Sequence, residues 1–134
     1  MRPEPAPNLV RMGRPNLEAA MSETTLETVD RFNQAWGAHD LDATLALTTP
    51  DCVFDSTGPA PDGIRSQGPD EIRAAWTPIF ADTNAVFSVE EIFEAGDRVI
   101  QRWRYDWDGG HVRGVDIFAV RDGLVAEKLS YVKG

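Results

Sequence analysis

The sequence has few of the residues that build disulfides, metal centres and nucleic-acid surfaces. Its single cysteine, Cys52, excludes an internal disulfide, and with only two histidines there is no Cys/His cluster at metal-ligand spacing. Thirteen Lys and Arg stand against 22 Asp and Glu, and the resulting net charge of −9 would repel a phosphate backbone. We therefore expect no metal and no nucleic-acid partner, and the cysteine count favours a reducing cytoplasm as the compartment.

Long hydrophobic runs and cofactor motifs are also missing. No apolar run approaches the roughly 20 residues of a membrane-spanning helix, and there is no Gly-rich phosphate loop or nucleophile elbow. The 134 residues, 42% of them hydrophobic and 26% charged, suit one globular domain. We expect a soluble protein that needs no cofactor and does not associate with membranes.

The first 20 residues differ in character from the rest of the chain. Pro3, Pro5, Pro7 and Pro15 interrupt any helix, and no apolar periodicity is present. The segment also lacks the apolar core of about 7–15 residues that a signal peptide requires. We predict a disordered extension over residues 1–20 and a single domain over residues 21–134.

Three helices are predicted in the first half of the domain. Thr24 and Glu27 form a capping box for the first helix, which should end at Gly37. Asp40 is placed to cap a second, shorter helix. Pro69 is typical of the first position of a helix and begins the third.

From residue 85 onward, apolar and polar residues alternate, which is typical of strands. Turn signals at Gly96-Asp97, Gly109-Gly110 and Asp122-Gly123 divide this part into four strands. With a short strand that precedes a Pro/Gly loop, the predicted strands are 52–55, 85–94, 98–107, 111–120 and 124–132. Helices followed by an antiparallel meander predict an α+β fold with the helices on one face of a curved sheet.

The turns also predict which side chains share a face of the sheet, because a two-residue turn sets the strand register. One face should collect Trp103, Tyr105, Trp107, Asp116, Phe118, Glu127, Leu129 and Tyr131. The opposite face should collect Arg102, Arg104, Asp106, Arg113, Val115, Ile117, Lys128 and Ser130. Asp116 is then a lone acid in an aromatic wall, where ionisation is disfavoured and a functional role is favoured.

Three segments carry the pattern of a known family: residues 32–42 (FNQAWGAHDLD), 51–58 (DCVFDSTG) and 122–131 (DGLVAEKLSY). With them the chain resembles the nuclear transport factor 2-like superfamily, particularly its ketosteroid isomerase and SnoaL-like polyketide cyclase branches, over residues 22–134. The resemblance implies a cone-shaped α+β fold, with N-terminal helices packed on a curved antiparallel sheet that encloses a pocket. It also implies a homodimer formed through the outer face of the sheet.

The resemblance implies site residues as well. Asp55 matches the general base of ketosteroid isomerases, and Asp116 matches the neutral acid of their oxyanion hole. Phe32 departs from the pattern, because those isomerases have a tyrosine there, and losing one such donor typically costs about 10²–10³ in rate. The expected pocket residues are Phe32, Trp36, Trp76, Trp103, Tyr105, Phe118, Glu127 and Tyr131.

Two functions of different classes follow from these residues. The favoured one is a cofactor-independent isomerase, cyclase or dehydratase that acts on a small, largely apolar carbonyl compound, with Asp55 as base and Asp116 as proton donor. The alternative is a small-ligand-binding or protein-interaction module without chemistry. The two differ in whether Asp55 and Asp116 converge on one enclosed cavity.

An epoxide hydrolase is a minority interpretation. Arg104-Tyr105-Asp106 resembles the Arg-x-Asp pair of limonene-epoxide-hydrolase-like proteins. Those proteins use a second aspartate on the last strand, where residues 129–131 of this chain have no acid.

Overall fold

The computed structural model describes residues 24–134, so the extension predicted over residues 1–20 lies outside the described residues. The elements in chain order are α1 (Thr25–Gly37), α2 (Leu41–Leu45), β1 (Thr48–Asp55), β2 (Arg65–Gln67), α3 (Pro69–Ala81), β3 (Val86–Ala95), β4 (Arg98–Trp107), β5 (Gly110–Arg121) and β6 (Leu124–Val132). Helices come first and long strands follow, as the change of period in the sequence predicts.

The helices begin where the sequence places their caps. The Thr24 side chain accepts a hydrogen bond from the Glu27 backbone, and the Glu27 carboxylate accepts one from the Thr24 backbone, so the predicted capping box is present. The Asp40 carboxylate accepts from the backbone N–H of Ala43 at 3.0 Å and caps α2. Pro69 opens α3. These predictions are confirmed.

One six-stranded sheet carries the helices, with the strand order β2-β1-β6-β5-β4-β3. The neighbours pair antiparallel except for β1 and β6, which run parallel. The sheet is thus curved and mixed, and it is not closed. The α+β fold is confirmed, and the three-residue strand β2 is an addition, because it lies in the segment predicted as a Pro/Gly loop.

The β4–β5 hairpin turns one residue earlier than predicted. Trp107 pairs with Gly110, so Asp108 and Gly109 form the turn, and Gln101 rather than Trp103 lies opposite Asp116. Each residue of β4 therefore pairs with a residue two positions earlier on β5 than predicted. Because side chains alternate with a period of two, each residue of β4 and β5 keeps its predicted face.

The β5–β6 hairpin contains a bulge that changes the faces of β6. Its turn is the predicted Asp122-Gly123, but Val120 pairs with Val125 while Ala119 pairs with Glu127, so Ala126 is extra. Beyond it, Asp116 lies opposite Ser130 rather than Leu129. A one-residue slip turns every later side chain to the other face. Lys128 and Ser130 therefore face the helices, and the inward placement predicted for Glu127, Leu129 and Tyr131 is wrong.

The hydrophobic core lies between the helices and the inner face of the sheet. Its fully buried members include Val29 and Phe32 of α1, Ile72 and Trp76 of α3, and Phe118 of β5. Phe32 packs edge-on against Trp76 and Phe118, with ring centroids 5.7 and 5.5 Å apart. Within residues 24–134, no helix is long and apolar enough to cross a membrane.

Candidate functional site

A cavity of about 190 Å³ opens between α1, α3 and the inner face of the sheet. Aromatic side chains form most of its wall, and polar side chains come from the end of β1 and from β6. The lining residues are Trp36, Phe54, Phe87, Trp103 and Tyr105, with Ile79 and Val112, and with Ser56, Thr57, Lys128 and Ser130. An apolar wall with a few convergent polar groups is typical of a small-molecule site.

An open groove continues from this cavity toward β2. It has a volume of about 640 Å³ and shares the lining residues Phe54, Ser56, Thr57 and Ile79 with the cavity. Its remaining wall comes from β2, from α3 and from the loop that follows β1. The cavity thus adjoins a larger open groove, beside a loop that contains Gly58, Pro59, Pro61 and Gly63.

Lys128 brings a buried amino group to the cavity. Its side chain is 7% exposed, and Nζ lies 4.6 Å from the centre of the Trp36 ring and 5.3 Å from that of Phe54. Such contacts stabilise a cation when water is excluded. Lys128 is one of only two lysines in the chain, and its position makes it the principal hydrogen-bond donor of the pocket.

Asp116 lies directly behind this amino group and is completely buried. Lys128 Nζ is 3.4 Å from Asp116 Oδ2, and the Ser130 hydroxyl donates to Asp116 Oδ1 at 2.7 Å. Lys128 Nζ also donates to Ser130 Oγ at 3.0 Å. The prediction of a lone acid is therefore wrong, because the bulge at Ala126 brings a cation and a hydroxyl to it.

A second layer extends this network to the helix α1. The Gln101 amide donates to Asp116 Oδ2 at 3.0 Å, and Asn33 donates to Gln101 Oε1 at 2.7 Å. Gln101 is fully buried and Asn33 is half-buried. Buried polar groups of this kind are costly unless paired, so the chain of contacts holds the Asp116 carboxylate in one position.

Asp55 is not brought to the cavity. Phe54 lines the wall, and by strand alternation its neighbour Asp55 points to the other face. There Arg65 donates to both oxygens of Asp55 at 2.8 Å, which holds the pKa of this carboxyl below its ordinary value. The convergence of Asp55 and Asp116 that the two-carboxylate mechanism requires is absent.

The expected pocket residues fall into three groups. Trp36, Trp103 and Tyr105 line the cavity, whereas Phe32, Trp76 and Phe118 are core residues beneath it. Glu127 and Tyr131 lie on the outer face as a consequence of the bulge. There Arg98 binds Glu127 at 2.9 Å, and Tyr131 is 58% exposed.

Two lining residues, Tyr105 and Trp103, each carry a hydrogen-bond donor on the side chain. Burial raises the pKa of the Tyr105 hydroxyl, with a smaller contribution from the charge of Asp82, so this phenol remains a neutral donor. Trp103 is 6% exposed, and its indole N–H has no hydrogen-bond partner among the described residues. Of the two tyrosines expected in the pocket, Tyr105 therefore supplies a phenol hydroxyl to its wall and Tyr131 does not.

Sequence reasoning missed Lys128, Ser130, Gln101 and Asn33. The hydrophobic pattern favoured Leu129 and Tyr131 as the inward residues of β6, and a Lys and a Ser at inward positions contradict that pattern. The signal that was present is the scarcity of lysine, since only Lys128 and Lys133 occur in the chain.

No group of three or more His, Cys, Asp or Glu side chains within residues 24–134 is placed to hold a metal ion. Cys52 is 1% exposed, and burial raises the pKa of its thiol to about 12, so it is not an activated nucleophile. The chemistry of the cavity accordingly rests on Lys128, Asp116, Ser130 and Tyr105.

Comparisons with solved structures place the chain among proteins of the same architecture. An NTF2-like protein of unknown function from Mesorhizobium loti is 42% identical, with a TM-score of 0.74, and the match covers 82% of this chain and 91% of that one. A putative polyketide cyclase from Sinorhizobium meliloti is 22% identical, with a TM-score of 0.68 and coverage of 81% and 99%. A putative ketosteroid isomerase from Kribbella flavida is 14% identical, with a TM-score of 0.70 and coverage of 82% and 78%.

A comparison with proteins of curated function finds no match. The family model of the SnoaL-like domain matches residues 29–128, which extend from the first helix to the buried lysine of β6. This span includes β1 to β5, the first part of β6 and the whole aromatic wall. The chain therefore belongs to the SnoaL-like domain family, within the NTF2-like fold.

Proposed function

We propose that this chain binds a small, largely apolar molecule that carries a carbonyl oxygen, and that the amino group of Lys128 donates a hydrogen bond to that oxygen. The observation that carries the proposal is the single buried amine at the end of an aromatic cavity. A carbonyl group placed there gains a donor in a site of low dielectric constant, where a hydrogen bond is stronger than in water.

The size of the cavity limits the part of the ligand that can be enclosed. At about 190 Å³ it is smaller than the roughly 300–1,000 Å³ of a site for a drug-sized molecule. A single aromatic ring with its carbonyl group fits this space, and any longer substituent would extend into the adjoining groove. The ligand class is thus a compact aryl or alkyl carbonyl compound.

Acid–base catalysis without a cofactor is the second candidate function. The Lys128–Ser130–Asp116 contacts favour it, because they connect a donor in the cavity to a buried acceptor through one hydroxyl. The neighbours named polyketide cyclase and ketosteroid isomerase agree with isomerase or cyclase chemistry. With Asp55 outside the cavity, we assign polarisation of the carbonyl to Lys128 and acceptance of the proton to Asp116, through Ser130.

The binding proposal is tested with acetophenone and with ethylbenzene, which has a similar shape but no oxygen. Each of the four tryptophans carries an indole N–H that ¹H–¹⁵N spectra can follow, and acetophenone should shift the resonances of Trp36 and Trp103. The paired variant Lys128→Met/Asp116→Asn avoids an unpaired buried charge. It should weaken acetophenone binding about tenfold or more, because a hydrogen bond from a charged group contributes about 1.5–3 kcal/mol.

Lys133→Met is the matched control and should bind acetophenone as the parent chain does. Equal affinity for acetophenone and ethylbenzene would contradict the role of Lys128. Catalysis is measured separately as the exchange of acetophenone methyl protons for deuterium in D₂O. Exchange no faster than in buffer, with intact binding, would favour the non-catalytic binding module.

A further inference from the structure

We propose that Lys128 forms a reversible imine with small apolar aldehydes that enter the cavity, so that the site captures its carbonyl ligand covalently. This inference rests on the proposed carbonyl site and goes beyond it, because it assigns to Lys128 a covalent bond with the ligand rather than a hydrogen bond. Primary amines and aldehydes form imines in water, and a site that holds both in contact favours the reaction.

The geometry places the amine within reach of the carbonyl carbon of a ligand in the cavity. Lys128 Nζ lies against the rings of Trp36, Phe54 and Phe118, which confine its side chain and leave its end at the cavity. An aldehyde oxygen that accepts a hydrogen bond from Nζ brings its carbon close to the same nitrogen. Only a small rotation then separates hydrogen bonding from attack at about 3–3.5 Å.

The amine must lose a proton before its lone pair can react, and Asp116 is placed to receive it. Oδ2 of Asp116 lies 3.4 Å from Nζ, and the Ser130 hydroxyl contacts both groups. Both side chains of the pair are buried. Transfer of one proton from nitrogen to oxygen cancels two charges that are costly to keep away from water.

The reaction balances without an oxidant, a reductant or a metal. The nitrogen lone pair forms the C–N bond as the C=O π electrons move to oxygen, and that oxygen takes the proton held by Asp116, which gives a carbinolamine. The nitrogen of this adduct still carries two protons, and it gives one of them to Asp116, from which it passes through Ser130 to the hydroxyl as the C–O bond breaks and water leaves. The nitrogen loses its remaining proton to Asp116, and the product is a neutral imine and one water molecule.

The two lysines of the chain differ in exposure, since Lys128 is buried and Lys133 is exposed. Lys133 is the second of only two lysines, and it is exposed near the C-terminus. An exposed amine reacts with an aldehyde only at the rate of a free alkylamine. Lys133 therefore serves as an internal reference for the reactivity of Lys128 in the same molecule.

The experiment treats the full chain with benzaldehyde and sodium cyanoborohydride at neutral pH and maps the benzylated lysines by peptide mass spectrometry. We expect Lys128 to be modified at least about tenfold faster than Lys133, since confinement raises the effective concentration of the aldehyde. Lys128→Arg should abolish the adduct at this position and Lys133→Arg should not affect it. Asp116→Asn should slow trapping at Lys128 while benzaldehyde still shifts the Trp36 and Trp103 indole resonances.

Three results would count against imine formation. If benzaldehyde binds in the cavity but modifies Lys128 no faster than Lys133, the covalent proposal fails and the carbonyl site remains. If Asp116→Asn folds and traps as fast as the parent chain, Asp116 is not the proton acceptor and the proposed step fails. If benzaldehyde neither binds nor reacts, the covalent proposal and the proposed function both fail.

Discussion

Gly114 on β5 determines how close Trp103 lies to the sheet. A Cβ atom at this position would overlap the Trp103 indole and the carbonyl oxygen of Tyr131. The missing side chain therefore lets the indole approach the strand closely and form part of the wall of the cavity. A residue without any side chain thus contributes to the shape of the site.

We predict that Gly114→Ala lowers the free energy of unfolding by about 1–3 kcal/mol, since overpacking forces side chains and backbone to shift. It should also displace Trp103 into the cavity and weaken acetophenone binding. Urea unfolding and the indole spectrum measure the two effects. Gly37→Ala is the matched control, because no atom lies within 4 Å of a Cβ built there. Equal stability of the Gly114→Ala variant and the parent chain would show that Trp103 is not held by this contact.

The strand β6 carries Lys128, which the bulge turns inward to pair with Asp116 of β5. Removing one partner of a buried pair leaves the other charge without compensation, whereas replacing both is often nearly neutral. We predict that Lys128→Met alone destabilises the fold by about 3–5 kcal/mol. The paired variant Lys128→Met/Asp116→Asn should recover most of this loss. Chemical unfolding of the two variants provides the measurement, and equal losses in both would mean that packing of the lysine side chain, not its charge, stabilises the strand.

The β1–β2 pairing depends on pH through Asp55 and Arg65, which lie opposite each other. The hydrogen bonds from Arg65 lower the pKa of Asp55 below its ordinary value of 3.8. The stabilisation is therefore fully present above that value and is lost as the pH falls through the lowered one. Because Arg65 is 64% exposed, we expect Asp55→Asn to cost less than about 1 kcal/mol at pH 7. Thermal melts should show this difference at pH 7 and a progressively smaller one as the pH falls below 3.8, and a difference that persists undiminished in acid would assign it to something other than the ion pair.

At the scale of the whole molecule, the outer face of the sheet is mixed in character. Arg102 and Arg113 pair there with Glu90, and Arg104 pairs with Asp106. Apolar side chains are exposed beside them, with Phe93 at 46% and Tyr131 at 58%. Alternating charges of both signs next to apolar area suit a self-complementary contact, and we propose that this face mediates the homodimer.

Arg104→Glu should weaken the proposed dimer, because it replaces the partner of Asp106 with a second acid and so places two like charges on one strand of the contact face. Sedimentation velocity across a dilution series measures the effect. Arg73→Glu makes the same change of charge on α3, away from this face, and should leave the sedimentation unchanged. A parent chain that sediments as a monomer at every concentration would exclude the dimer, and equal effects of both variants would place the contact elsewhere.

The sequence determined the helices and the long strands of this protein, because their signals are local, whereas the three-residue strand β2 was not predicted. The capping box at Thr24, the proline at the start of α3 and the glycine turns at residues 96 and 123 act through neighbours a few positions away. The alternation along β4 and β5 likewise identified their inner faces, even where one turn lay a residue from its predicted position. Family membership followed from the same order of elements.

Which residues meet in the candidate site depends on the tertiary structure. One extra residue at Ala126 exchanged the faces of β6, whereas the alternation over residues 128–131 had favoured Leu129 and Tyr131 as the inward side chains. The register of β6 against β5 is the arrangement in which Asp116 meets Lys128 and Ser130 in the buried layer. Whether an acid in an aromatic wall is alone or partnered depends on contacts between residues far apart in the chain, so only the folded molecule could show it.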